Sequence, residues 1–91
     1  MSEIIWLVTA TVETSEGSAL KRDEIVGVFT DANIAKDEIG KLYTLRLLWI
    51  MHDNEYRCSV KSKWTINSEP IVEWAVSPIM ANQLMSGLRN A

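Results

Sequence analysis

Residues 43–66, YTLRLLWIMHDNEYRCSVKSKWTI, decide how this chain is expected to fold. In the second half, Tyr56, Cys58, Val60, Trp64 and Ile66 share one parity, broken only by Ser62. Arg57, Ser59, Lys61, Lys63 and Thr65 share the other. A period of two marks a strand with one face buried and one face in water. In the first half, Tyr43, Leu45, Leu47, Trp49 and Met51 also fall on one parity. His52-Asp53-Asn54-Glu55 between them is a cluster of turn formers, so the stretch reads as a long β-hairpin. A loop of two or of four residues gives the same register, with Met51 opposite Tyr56. Trp49 then faces Cys58, Leu47 faces Val60 and Tyr43 faces Trp64 in one apolar layer. The alternation of 56–66 needs a strand partner, and 43–51 is the nearest segment that can supply one.

Working outward, residues 3–13 read as a first strand with Ile4, Trp6, Val8, Ala10 and Val12 on one face. The other face begins apolar at Ile5 and Leu7 and turns polar at Thr9, Thr11 and Glu13, which suits a central place in a sheet. Residues 14–18 read as a loop and an exposed flap, and 23–29 as a second strand paired with the first. Thr30 is the expected N-cap of a helix, with acidic Asp31 in its first turn. Ala35, Ile39 and Leu42 at i, i+4 and i+7 extend that helix over 31–42, supported by an Asp37–Lys41 ion pair. Asn67-Ser68-Glu69-Pro70 breaks the chain. Residues 71–76 then read as a short edge strand, because Pro70 lacks a donor. Ser77-Pro78 has the form of a helix start, followed by a stripe of Ile79, Met80, Gln83, Leu84, Gly87 and Leu88. The order β-β-α-β-β-(β)-α predicts one compact α+β domain over 1–91. Its expected architecture is an antiparallel β-sheet of four to five strands with two helices packed on one face.

A hydrophobic fraction of 47% with 23% charged residues is that of an ordinary globular protein, long enough to bury a core without disulfides or metals. Apolar runs such as 47–51 are far shorter than the roughly 20 residues of a membrane span. No basic stretch precedes 4–8, so no signal peptide is expected. A single cysteine leaves no internal disulfide and makes a cytoplasmic location the expectation. The net charge of −3 is unevenly spread: residues 1–42 carry −4, 43–66 carry +2 and 67–91 carry −1. An acidic body with a mildly basic hairpin is not the balance of a protein that lives on nucleic-acid phosphates.

Catalytic chemistry finds little to work with. His52 falls at the turn and Cys58 in the apolar layer, so they are not expected to form a nucleophile–base pair. One His, one Cys and scattered carboxylates lack the spaced ligand pairs of a zinc site, and Asp53-Asn54-Glu55 falls short of a calcium loop. Gly17, Gly27, Gly40 and Gly87 are dispersed and form no phosphate cradle. Neither catalytic residues nor a cofactor or metal is expected, and the protein is not expected to be an enzyme.

Two features stand above this background. Trp6, Trp49, Trp64 and Trp74 are four tryptophans in 91 residues, able to fill a core or to anchor an interface. The hairpin register also sets Arg46 opposite Lys61, Thr44 opposite Lys63 and Ile50 opposite Arg57. Like charges directly opposed cost some tenths of a kcal/mol, which either an acidic partner or a solvated face with acidic neighbours on another strand would offset. The candidate interaction residues are therefore Arg46, Arg57, Lys61, Lys63, Trp6 and Trp49. The expected function is a non-enzymatic protein-interaction module acting on a protein partner or on a second copy as a homodimer. A homodimer would cover an open edge at the first strand or the hairpin, with Trp6 and Trp49 near the contact. In size and charge the chain is similar to small phage or mobile-element accessory proteins that bind and block a host protein. A nucleic-acid-binding domain using the four hairpin bases is the alternative, and a small-ligand-binding domain or enzyme the second alternative.

Overall fold

The alternating apolar residues of 4–12 put their strand in the interior of a sheet. In the computed structural model, which describes residues 4–14, 20–61 and 63–80, the chain runs β1 (Ile4–Glu13), β2 (Lys21–Phe29), α1 (Ala32–Gly40), β3 (Ile50–His52), β4 (Glu55–Ser59), β5 (Thr65–Ile66) and β6 (Glu69–Met80). Every pairing is antiparallel, in the order β2-β1-β6-β4-β3, with β5 against the start of β6. Val8, Ala10 and Val12 of β1 meet Ile71, Trp74 and Val76 of β6, and Ala35 and Ile39 of α1 close over them. The i, i+4 spacing of Ala35 and Ile39 therefore does what an amphipathic helix requires.

The helix begins one residue later than Thr30 predicts. Asp31 is the N-cap, in extended conformation, and its carboxylate accepts from the backbone N–H groups of Asn33 and Ile34 at 2.7 and 3.2 Å. A carboxylate both satisfies these donors and complements the helix dipole, so it outcompetes the neighbouring hydroxyl. Lys41 pairs with Glu38 at 2.7 Å rather than with Asp37.

The largest departure lies at the C-terminal end. Residues 71–76 belong to a twelve-residue strand between β1 and β4, not to a short edge strand. Ser77 to Met80 continue that strand, so no helix starts at Ser77-Pro78. The rest of the expected stripe, from Gln83 to Leu88, lies outside the described residues, as does most of the expected 14–18 flap. Among the described residues there are six strands and one helix, not two helices. Both prolines of β6 fall where the strand has a single neighbour. Pro70 lies beyond the end of the β1 ladder at Ile71, and Pro78 lies beyond the β4 ladder at Val76. A residue without a donor is tolerated in a strand at such one-sided positions.

The 43–66 hairpin shrinks to its tip. β3 and β4 pair Met51 with Tyr56 and Ile50 with Arg57, the expected register. The two-residue turn has Asp53 and Asn54 at φ 51° and 65°, the positive pair that a twisted hairpin favours. Residues 43–49 are not strand. The partner that the alternation of β4 demands is β6, with Cys58 opposite Trp74 and Tyr56 opposite Val76. Asn67 and Ser68, at φ 51° and 68°, form a second tight turn that joins β5 to β6.

Candidate functional site

After α1, Leu42 and Tyr43 donate back to the carbonyls of Ile39 and Gly40 at 3.0 and 3.2 Å, closing the helix with a turn. Two tryptophans then hold the following segment. The indole N–H of Trp74 donates to the Tyr43 hydroxyl at 2.7 Å, and that of Trp64 donates to the Leu42 carbonyl at 2.8 Å. These contacts hold residues 42–48 off the sheet ladder, against 58–61 and 63–64. Between the two segments lies a cleft of about 530 Å³.

Cys58 and Leu47 line its buried side, while Leu45, Leu48 and Trp64 form its lip at 80, 78 and 46% exposure. Arg46, Lys61 and Lys63 line the same cleft. None of these three cations makes an ion pair among the described residues. Elsewhere Arg22 is held by Glu24 and Glu69, and Lys41 by Glu38. A smaller concavity of about 240 Å³ lies between β2 and α1, and its one charged lining residue, Glu38, already pairs with Lys41.

Three of the four expected basic residues thus come together, though not as opposed residues of a ladder. Arg46 is not in a strand, so the repulsion expected across the hairpin does not arise. Arg57 is separate. It alternates with Cys58 on β4 and therefore points to the opposite face of the sheet. There Glu55 and Glu73 bind its guanidinium and raise its already high pKa, Glu55 contributing most. Trp6 and Trp49 are half-buried and pack against the core, Trp6 with its ring 6.0 Å from that of Tyr56. The lip leucines escaped the sequence reading because alternation assigned Leu45 to the apolar layer. The adjacent pair Leu47-Leu48 was the available signal, since an alternating strand with one wet face cannot bury both.

Among the described residues the two expected nucleophile partners stay apart. His52 lies at the β3–β4 turn, its Nδ1 3.2 Å from the Asp53 carboxylate, while Cys58 is buried against Trp74. Burial pushes the Cys58 thiol up, away from the thiolate that a nucleophile needs. Among the described residues no group of three or more His, Cys, Asp or Glu could hold a metal ion, and no helix is long and apolar enough to cross a membrane. No protein-family model matches this chain, no curated protein matches its sequence and no solved structure matches its fold.

Proposed function

We propose that the protein is a non-enzymatic interaction module and that the cleft between 42–48 on one side and 58–61 with 63–64 on the other is its docking surface for a protein partner. One observation carries this reading: Leu45 and Leu48, about four-fifths exposed, stand with Trp64 on the lip of a concave surface. Single exposed leucines are ordinary, but apolar groups gathered at a concavity and ringed by polar ones mark interaction sites. Covering an exposed leucine fully is worth roughly 1.5–3 kcal/mol, so this lip supplies binding energy that the free protein leaves unused. The module acts by occupying its partner's surface, in the manner of small phage or mobile-element accessory proteins. Affinity capture from native lysate, with the wild type and with Leu45→Asp/Leu48→Asp, tests it. Exposed substitutions of this kind change stability by only about 0.5 kcal/mol, so lost capture reports the surface and not the fold. Equal capture by both proteins contradicts the reading.

A second copy of the chain is the other partner in this proposal, through an edge different from those expected. β1 is paired on both sides and β3 has three residues, whereas β2 is a nine-residue edge. Residues 25–29 of β2 carry no charge, and Ile25, Val26 and Val28 are exposed, with a bulge at Val26 as the interruption. Uncharged free edges are templates for strand addition. Sedimentation equilibrium over micromolar concentrations should find a dimer, and a strictly monomeric mass removes this second partner.

A further inference from the structure

We propose that the occupant of the cleft is an acidic protein segment with an apolar side chain at its centre. Its carboxylates meet Arg46, Lys61 and Lys63, and its apolar group lies against Leu45, Leu48 and Trp64. This rests on the reading of the cleft as a docking surface.

Charge is the first argument. In a chain of net charge −3, three cations converge on one cleft without an ion pair among the described residues, while Arg57 nearby in sequence has two carboxylates. Clustered cations repel one another when empty and attract an anionic partner, raising its encounter rate and setting its orientation.

The lip decides the class of anion. Leu45 and Leu48 line the cleft yet remain 80 and 78% exposed, so the free protein leaves most of their surface in water. Covering two side chains this exposed takes an occupant that runs over the lip as well as into the cleft. A nucleic acid would need aromatic faces on which to stack its bases. Here the most exposed groups are aliphatic, and the Trp64 ring is tethered by its N–H to the Leu42 carbonyl. A flat anionic membrane would touch the lip but not fill a concavity that reaches in to Leu47 and Cys58. A polypeptide segment supplies both the carboxylates and a side chain to enter the cleft.

Fluorescence anisotropy of the full chain with three short synthetic peptides tests the assignment. The first has glutamates flanking a Leu-Trp-Leu centre, the second has glutamine for glutamate, and the third keeps the glutamates around a serine centre. The first should bind at least about tenfold more tightly than either control, and its advantage should shrink as salt is raised. Arg46→Ala/Lys61→Ala/Lys63→Ala should abolish the advantage, while Arg57→Ala keeps it. Equal binding of the glutamine peptide overturns the acidic assignment and leaves the docking surface standing. Binding of none of the peptides overturns the assignment as well, and capture by the Leu45→Asp/Leu48→Asp protein then decides whether the docking surface falls with it. Phosphatidylserine vesicles and single-stranded DNA are the remaining arms. Binding of either that exceeds the peptide's and is lost in the triple variant overturns the proposal.

Discussion

The indole N–H of Trp74 donates to the hydroxyl of Tyr43 at 2.7 Å, tying the buried middle of β6 to the segment that walls the cleft. Trp74 is 5% exposed, and its indole N–H finds this partner in a part-buried setting. Tyr43→Phe keeps the ring and deletes the acceptor. It should cost about 1–3 kcal/mol, the penalty of a buried donor left unmade, in chemical denaturation. A change under about 0.5 kcal/mol would show that the contact does not hold the wall.

The helix cap separates two adjacent residues. Asp31→Ala should destabilise the protein by about 0.5–2 kcal/mol, because two backbone donors lose their carboxylate. Thr30→Ala should be near neutral. The reverse ranking in thermal or urea unfolding would return the cap to Thr30.

Cys58 is 2% exposed, and burial raises its thiol pKa, against the pull of a backbone hydrogen bond from Leu48. Native labelling by a maleimide should be slow and become rapid only on unfolding. Because the folded pKa is raised, its stabilisation is complete below the unfolded thiol's pKa of about 8.5 and is lost as pH rises through the folded value. Unfolding free energy should therefore fall more steeply with alkaline pH in the wild type than in Cys58→Ala. Rapid native labelling contradicts the buried placement.

Nucleic-acid binding by Arg46, Lys61 and Lys63 would weaken steeply with salt, since each neutralised phosphate releases counterions. Arg57 is already neutralised by Glu55 and Glu73, which leaves three of the four bases of residues 43–66 for this role. Anisotropy with duplex and single-stranded oligonucleotides should detect no binding tighter than about 1 µM at physiological salt. Tighter binding would replace the protein partner with a nucleic acid.

The two faces of β1, the β1–β2 pairing, the burial of Ala35 and Ile39 on α1 and the tip of the β3–β4 hairpin were legible in the sequence, because each rests on local periodicity or turn chemistry, whereas Leu42 lies past the end of α1 and is 37% exposed. What was not legible came from distant partners. The alternation of residues 56–60 asks for a neighbouring strand, and nothing local distinguishes 43–49 from 72–76 as the answer. Trp74 and Trp64 resolve it by hydrogen-bonding Tyr43 and Leu42, from 31 and 22 residues away in sequence. Ser77-Pro78 has the local form of a helix start, but β1 supplies a ladder that extends the strand through it. The candidate site was legible as charge and not as shape. Arg46, Lys61 and Lys63 stand out by their sign, while the exposure of Leu45 and Leu48 follows from a segment that leaves the sheet.

Crosslinking from single positions shows whether the cleft lip is the contact surface. A photo-reactive amino acid is placed at Leu48, on the lip, and separately at Ile34, an exposed apolar position on α1. Each protein is irradiated in native lysate. A discrete crosslinked partner is expected from position 48, reduced by Arg46→Ala/Lys61→Ala/Lys63→Ala, and none from position 34. The same partner from position 34 with nothing from position 48 would contradict it.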